Sequence, residues 1–164
     1  MKKFLKYSGL CSLALALVAF ILMMATPAIV STNSDGAVKG TIAIFGGTEA
    51  IWGPLAITYK ASPMALIGWI LGLAGLLVVL AGVVLPLLKI KALEKFSGIL
   101  SLVAIGLFVA AGVFLFFTVP AFSAATNGGY DDWTLGAGWI IGAILYLVAA
   151  AFAALPVVAQ ILKK

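Results

Sequence analysis

Four long apolar runs divide this chain, at residues 7–30, 64–88, 96–121 and 135–162, and no Asp, Glu, Lys, Arg or His interrupts any of them. Each reaches the roughly 20 residues that a helix needs to cross the hydrocarbon of a bilayer. A water-soluble globule has no means of hiding them. With 65% hydrophobic and 9% charged residues and a mean hydropathy of +1.27, the chain has too little polar surface to cover an apolar interior of that size. The sequence therefore predicts an all-α membrane protein. It is a four-transmembrane-helix bundle forming a single membrane domain over 1–164, inserted as a multi-pass protein in the cell membrane.

The ionisable residues lie between the runs, and their placement predicts the orientation. Lys2, Lys3 and Lys6 precede the first run, Lys89, Lys91 and Lys95 join the second to the third, and Lys163 and Lys164 close the chain. The positive-inside rule assigns that side, with both termini, to the cytoplasm. Asp35, Glu49, Asp131 and Asp132 fall on the other side with Lys39 and Lys60. The net charge of +5 and the pI near 9.5 follow from this asymmetry. Lysines that flank apolar runs set topology and favour anionic headgroups, so the expected partners are membrane lipids and not nucleic acid. The basic start followed by Leu10 to Met24 also has the outline of a secretory signal, but its apolar run is longer than a signal core, and it is read as the first span. Cys11, the single cysteine, is expected to be a small buried residue.

The chain also matches itself. Gly68-Trp69-Ile70-Leu71-Gly72 aligns with Gly138-Trp139-Ile140-Ile141-Gly142 at an offset of 70, and Leu85-Pro86 then falls on Leu155-Pro156 without a gap. Lys6-Tyr7-Ser8-Gly9-Leu10 aligns similarly with Lys95-Phe96-Ser97-Gly98-Ile99. Two tandem helical hairpins, 1–91 and 92–164, are the expected consequence. They form a parallel repeat whose pseudo-twofold axis lies along the membrane normal. Convergent composition among lipid-facing helices is the plainer account of the match. Lipid gives helices no hydrophobic reason to associate, so small residues that allow close approach mark the packing faces. Gly68, Gly72, Gly75 and Gly82 form one such face, Ser97 and Ser101 a second, and Gly138 and Gly142 a third. These faces are expected inside the bundle, with a gating seam or an oligomer contact as the functional alternative.

Outside the membrane the halves differ, with a long external loop at about 31–63 and a short one at about 122–134. Residues 38–45 and 55–59 are rich enough in β-branched and aromatic residues for a short β-hairpin, with breaks at Gly46-Gly47 and Gly53-Pro54. Trp52, Tyr59, Asp131, Asp132 and Trp133 are the candidate external interaction residues. An aromatic belt at headgroup level accounts for the rings, with Trp69 and Trp139 also at that depth, and a solvated acidic turn accounts for the aspartates. No catalytic residues, cofactor or metal site are expected. The chain has no His, no Arg and no cysteine pair, and its spans offer no ionisable group for coupled transport.

Four spans with a long first and a short second external loop resemble the claudin-type tetraspan outline. In the region of that family's Gly-Leu-Trp and cysteine pair, however, stands Ala50-Ile51-Trp52-Gly53 with no cysteine, so the family's disulfide and loop function are not carried over. The Lys-only basic usage and compact size resemble the small uncharacterised four-span membrane proteins of Gram-positive bacteria, which implies no particular activity. The expectation is a non-enzymatic accessory, scaffold or interaction subunit that presents its long loop outside and packs laterally as a homo-oligomer or with a larger membrane-protein partner. A small channel or facilitator, or a lipid-binding membrane protein, remains the alternative.

Overall fold

The computed structural model describes residues 2–32, 34–52, 55–87, 96–125 and 133–161. In chain order the elements are α1 (Lys2–Ala25), β1 (Ile29–Thr32), β2 (Val38–Ala43), β3 (Gly46–Trp52), β4 (Leu55–Tyr59), α2 (Pro63–Leu87), α3 (Ser97–Phe116), α4 (Thr118–Ala125), β5 (Trp133–Leu135) and α5 (Ala137–Ile161). Four helices are long and apolar enough to cross a membrane, over Tyr7–Ala25, Pro63–Val84, Gly98–Phe116 and Ala137–Ala159. At 1.5 Å per residue these stretches measure about 28–35 Å, the thickness of bilayer hydrocarbon.

The helices close into a ring in which α1 packs on α5, α5 on α3, and α3 on α2, with a sparser contact between α2 and α1. Aromatic and small residues alternate in its core. The Phe108 ring of α3 stacks on the Tyr146 ring of α5 at 5.5 Å, and both are fully buried beside Ala104, Ala111, Ala143 and Ala149. A hydrogen bond also crosses between helices, from Ser12 Oγ of α1 to the Ala149 carbonyl of α5 at 2.8 Å. Cys11, one residue earlier, is exposed on α1, contrary to the expectation that it is buried.

The expectation of an all-α chain is corrected. Residues of the connection between α1 and α2 fold with Trp133–Leu135 into one five-stranded antiparallel sheet of order β4-β3-β2-β1-β5. The anticipated hairpin is only part of it. Residues 38–43 and 55–59 are strands, but Gly46-Gly47 opens β3 between them instead of ending a strand. Two further strands overlap the ends of segments read as spans. The first helix stops at Ala25 because Pro27 cannot continue it, and Ile29–Thr32, rich in β-branched residues, joins the sheet. Leu135 likewise belongs to β5, with α5 starting at Ala137. The third run breaks at Phe117 into α3 and α4. Pro120 falls in the first turn of α4, where a missing N–H costs no intrahelical bond.

Strand register fixes what faces the bundle. The strand ends nearest the helices are Ile29, Leu135 and Tyr59, since α1, α5 and α2 begin or end within four residues of them. Pairing places Leu135, Ile29, Ile42, Gly47 and Tyr59 in one cross-strand row. Two residues further out, Trp133, Ser31, Gly40, Glu49 and Ile57 form the next row on the same face. α4 lies against this face: the Phe122 ring stands 5.6 Å from Tyr59 and 5.3 Å from Trp133.

Candidate functional site

The inner face of the sheet holds a buried carboxylate. Glu49 is 7% exposed, and its two oxygens accept hydrogen bonds from Ser31 Oγ at 3.0 Å and Tyr59 Oη at 3.1 Å. Ser31 sits two strands away, and it reaches Glu49 because the residue between them in the row is Gly40. Gly47 leaves a similar hollow beside Tyr59, whose ring completes a mutually edge-on triad with Phe122 and Trp133. Charge-assisted hydrogen bonds of this kind offset the cost of burying a carboxylate. Ser31, Glu49, Phe122 and Trp133 are all less than a tenth exposed, so in this conformation the cluster ties sheet to α4 and is closed to a substrate.

The opposite face of the sheet is open. Between the two buried rows, Thr134, Val30, Thr41, Thr48 and Thr58 fall in one cross-strand line. The four threonines are exposed, as are Ala43, Ala50 and Ala56 around them. Thr134 Oγ1 donates to the Val30 carbonyl at 3.3 Å on this face.

The candidate external residues divide. Tyr59 and Trp133 are structural: Trp133 is 5% exposed inside the aromatic triad and is not displayed at the surface. Trp52 ends β3 with its side chain outside the described residues, and Asp131 and Asp132 also lie outside them. The lysines at 89, 91, 95, 163 and 164 lie outside the described residues as well. Glu49, read as one charge of a polar loop, is the residue that sequence reasoning missed.

The predicted packing glycines are mostly in the bundle. A side chain at Gly72 would coincide with the Tyr146 ring and hydroxyl, and a methyl at Gly75 would stand 2.7 Å from Phe108 Cε1. Gly68 lies against Leu115, Gly138 against Thr26 and Gly142 against Met23. Gly82 is looser, with Leu100 Cβ at 3.9 Å. Ser101 is half-buried, and the Ser97 side chain lies outside the described residues. Gly112, not anticipated, meets Leu147. In contrast, Gly106 is exposed on α3 with nothing within 4 Å of where its side chain would be, among exposed Leu102, Val103, Val109 and Val113.

Trp139 is also no belt residue. It is fully buried, and its Nε1 donates to the carbonyls of Met23 at 3.2 Å and Thr26 at 3.1 Å, satisfying acceptors that the end of α1 leaves open. The chain matches no family model and no curated protein.

Proposed function

We propose that this protein is a non-enzymatic cell-membrane subunit whose helical bundle fixes a small sheet on the outer side and associates laterally with copies of itself or a larger membrane protein. Both termini are cytoplasmic in this reading, since the lysine-rich connections are opposite the sheet. The observation that carries it is how the sheet is used. Its inner face is filled by Glu49, Tyr59, Phe122 and Trp133, while the threonines and alanines of its outer face are exposed. An exposed face of small side chains is suited to contact with another macromolecule, and little in it serves catalysis.

Lateral association has its best support at Gly106, whose open surroundings on the lipid-facing side of α3 leave room for a neighbouring helix. Gly68, Gly72, Gly75, Gly138 and Gly142 are occupied within the bundle and are unsuitable for that role. A tandem-hairpin origin is proposed with it. Gly68 meets Leu115 and Gly138 meets Thr26, so the offset of 70 on one helix accompanies the offset of 89 on its partner. Conduction through the chain's own bundle is disfavoured by the stacked Phe108 and Tyr146 that fill its centre.

The test is the particle mass in native nanodiscs for the wild type, Gly106→Leu and Thr48→Arg. A wild-type particle larger than one chain, reduced to a monomer by either substitution, is the expected result. A monomeric wild type without copurifying protein overturns the proposal.

A further inference from the structure

Phe45 is 74% exposed, the greatest exposure among the described large hydrophobic residues. It stands in the turn from β2 to β3, at the end of the sheet next to the bundle. Its ring meets Trp69 of α2 edge-on at 6.3 Å, and Trp69 stacks on Phe20 of α1 at 5.5 Å. Both contact residues belong to membrane-crossing stretches whose sheet-side ends are Pro63 and Ala25. Trp69 is six residues inside one end and Phe20 five inside the other, which places their backbones about 7–9 Å below the helix ends. The exposed neighbours on those helices, Ile21, Met24, Ile67 and Ile70, are the surface that lipid covers.

A charge sits beside the turn. Gly46, with φ +114°, turns the chain tightly enough that its missing side chain points at the Tyr59 carbonyl and the Lys60 backbone. Lys60 is exposed there, beside the aromatic turn. An apolar ring below and an ammonium above is the arrangement that interfacial residues adopt, with the ring at the acyl boundary and the cation among phosphates.

We infer that the turn carrying Phe45 is a membrane-inserted finger, with the Phe45 ring in the outer leaflet at the acyl boundary and Lys60 among the headgroups. The sheet is thus held to the bilayer directly as well as through α1, α2 and α5. The occupant is lipid because the ring continues the lipid-covered surface of α1 and α2 at the same depth.

The test uses the full chain in vesicles of phosphatidylethanolamine and phosphatidylglycerol. In a Cys11→Ala background, Phe45→Cys and, as control, Thr48→Cys are labelled with an environment-sensitive fluorophore. The expected result is a blue-shifted label at 45, quenched by lipids spin-labelled high on the acyl chain and protected from aqueous iodide, with the opposite behaviour at 48. Iodide quenching at 45 equal to that at 48 overturns the inference. A photoreactive benzoylphenylalanine at 45, which keeps an aromatic ring in place, gives an independent readout. Phospholipid adducts by mass spectrometry support the finger, and adducts to a second copy or another protein overturn it.

Discussion

The indole of Trp139 holds two carbonyls at the end of α1, while Trp69, at the matching position 70 residues earlier, has a buried Nε1 without a hydrogen-bond partner. α1 ends at Ala25 and leaves acceptors open, which the Trp139 indole fills. Trp69 is left to stack on Phe20 and Phe45. Trp139→Phe is therefore expected to cost about 1–3 kcal/mol, because it strands acceptors in a dry environment. Trp69→Phe keeps the stacking and breaks no hydrogen bond, so its cost is expected below about 1 kcal/mol. Unfolding of each variant by steric trapping in bicelles reads the difference directly, and equal losses would remove the capping role from Trp139.

Among the elements, the sheet depends on one acid and two glycines. Gly40 and Gly47 leave the inner face hollow, and Glu49 fills the hollow with its bonds to Ser31 and Tyr59. Glu49→Gln retains an acceptor of the same shape and is expected to lose about 1 kcal/mol, while Glu49→Ala strands both hydroxyls and is expected to lose about 2–4 kcal/mol. Protease cleavage rates within 29–59 are the measurement, and a slower rate for the alanine variant than for the glutamine variant would contradict the network. This element was the least legible in the sequence. In β3 the inward positions are Gly47 and the buried Glu49 and the exposed ones Thr48 and Ala50, so the usual alternation of apolar inside and polar outside is not followed. β1 and β5 were hidden for another reason: Ile29-Val30 and Leu135 continue apolar runs, and hydropathy does not distinguish an apolar strand from the end of a membrane helix. The helices were legible because length and apolarity are read locally. The pairing of β1 with β5 joins residues about a hundred positions apart, which no local pattern records.

For the whole molecule, the connectivity places the sheet at one end of the bundle and the start of α1, the end of α2, the start of α3 and the end of α5 at the other, because α1 and α3 run toward the sheet while α2 and α5 run away from it. Lysine is distributed along the same axis. Lys2, Lys3, Lys6, Lys89, Lys91, Lys95, Lys163 and Lys164 belong by sequence to the terminus end, against Lys39 and Lys60 in the segment that forms the sheet. Transferring the sheet end across the bilayer during insertion moves two lysines, and the reverse insertion moves eight, so the membrane potential and the anionic cytoplasmic leaflet both favour the sheet outside. In intact cells, a membrane-impermeant maleimide is expected to label Thr48→Cys in a Cys11→Ala background, while a C-terminal tag becomes accessible to antibody only after permeabilisation. Replacing the three N-terminal lysines by Gln reduces the bias without removing it, since five lysines remain on that end, and a mixed population is the largest effect expected. Labelling of the tag in intact wild-type cells would invert the orientation and place the threonine face in the cytoplasm, where its partners would have to be sought instead.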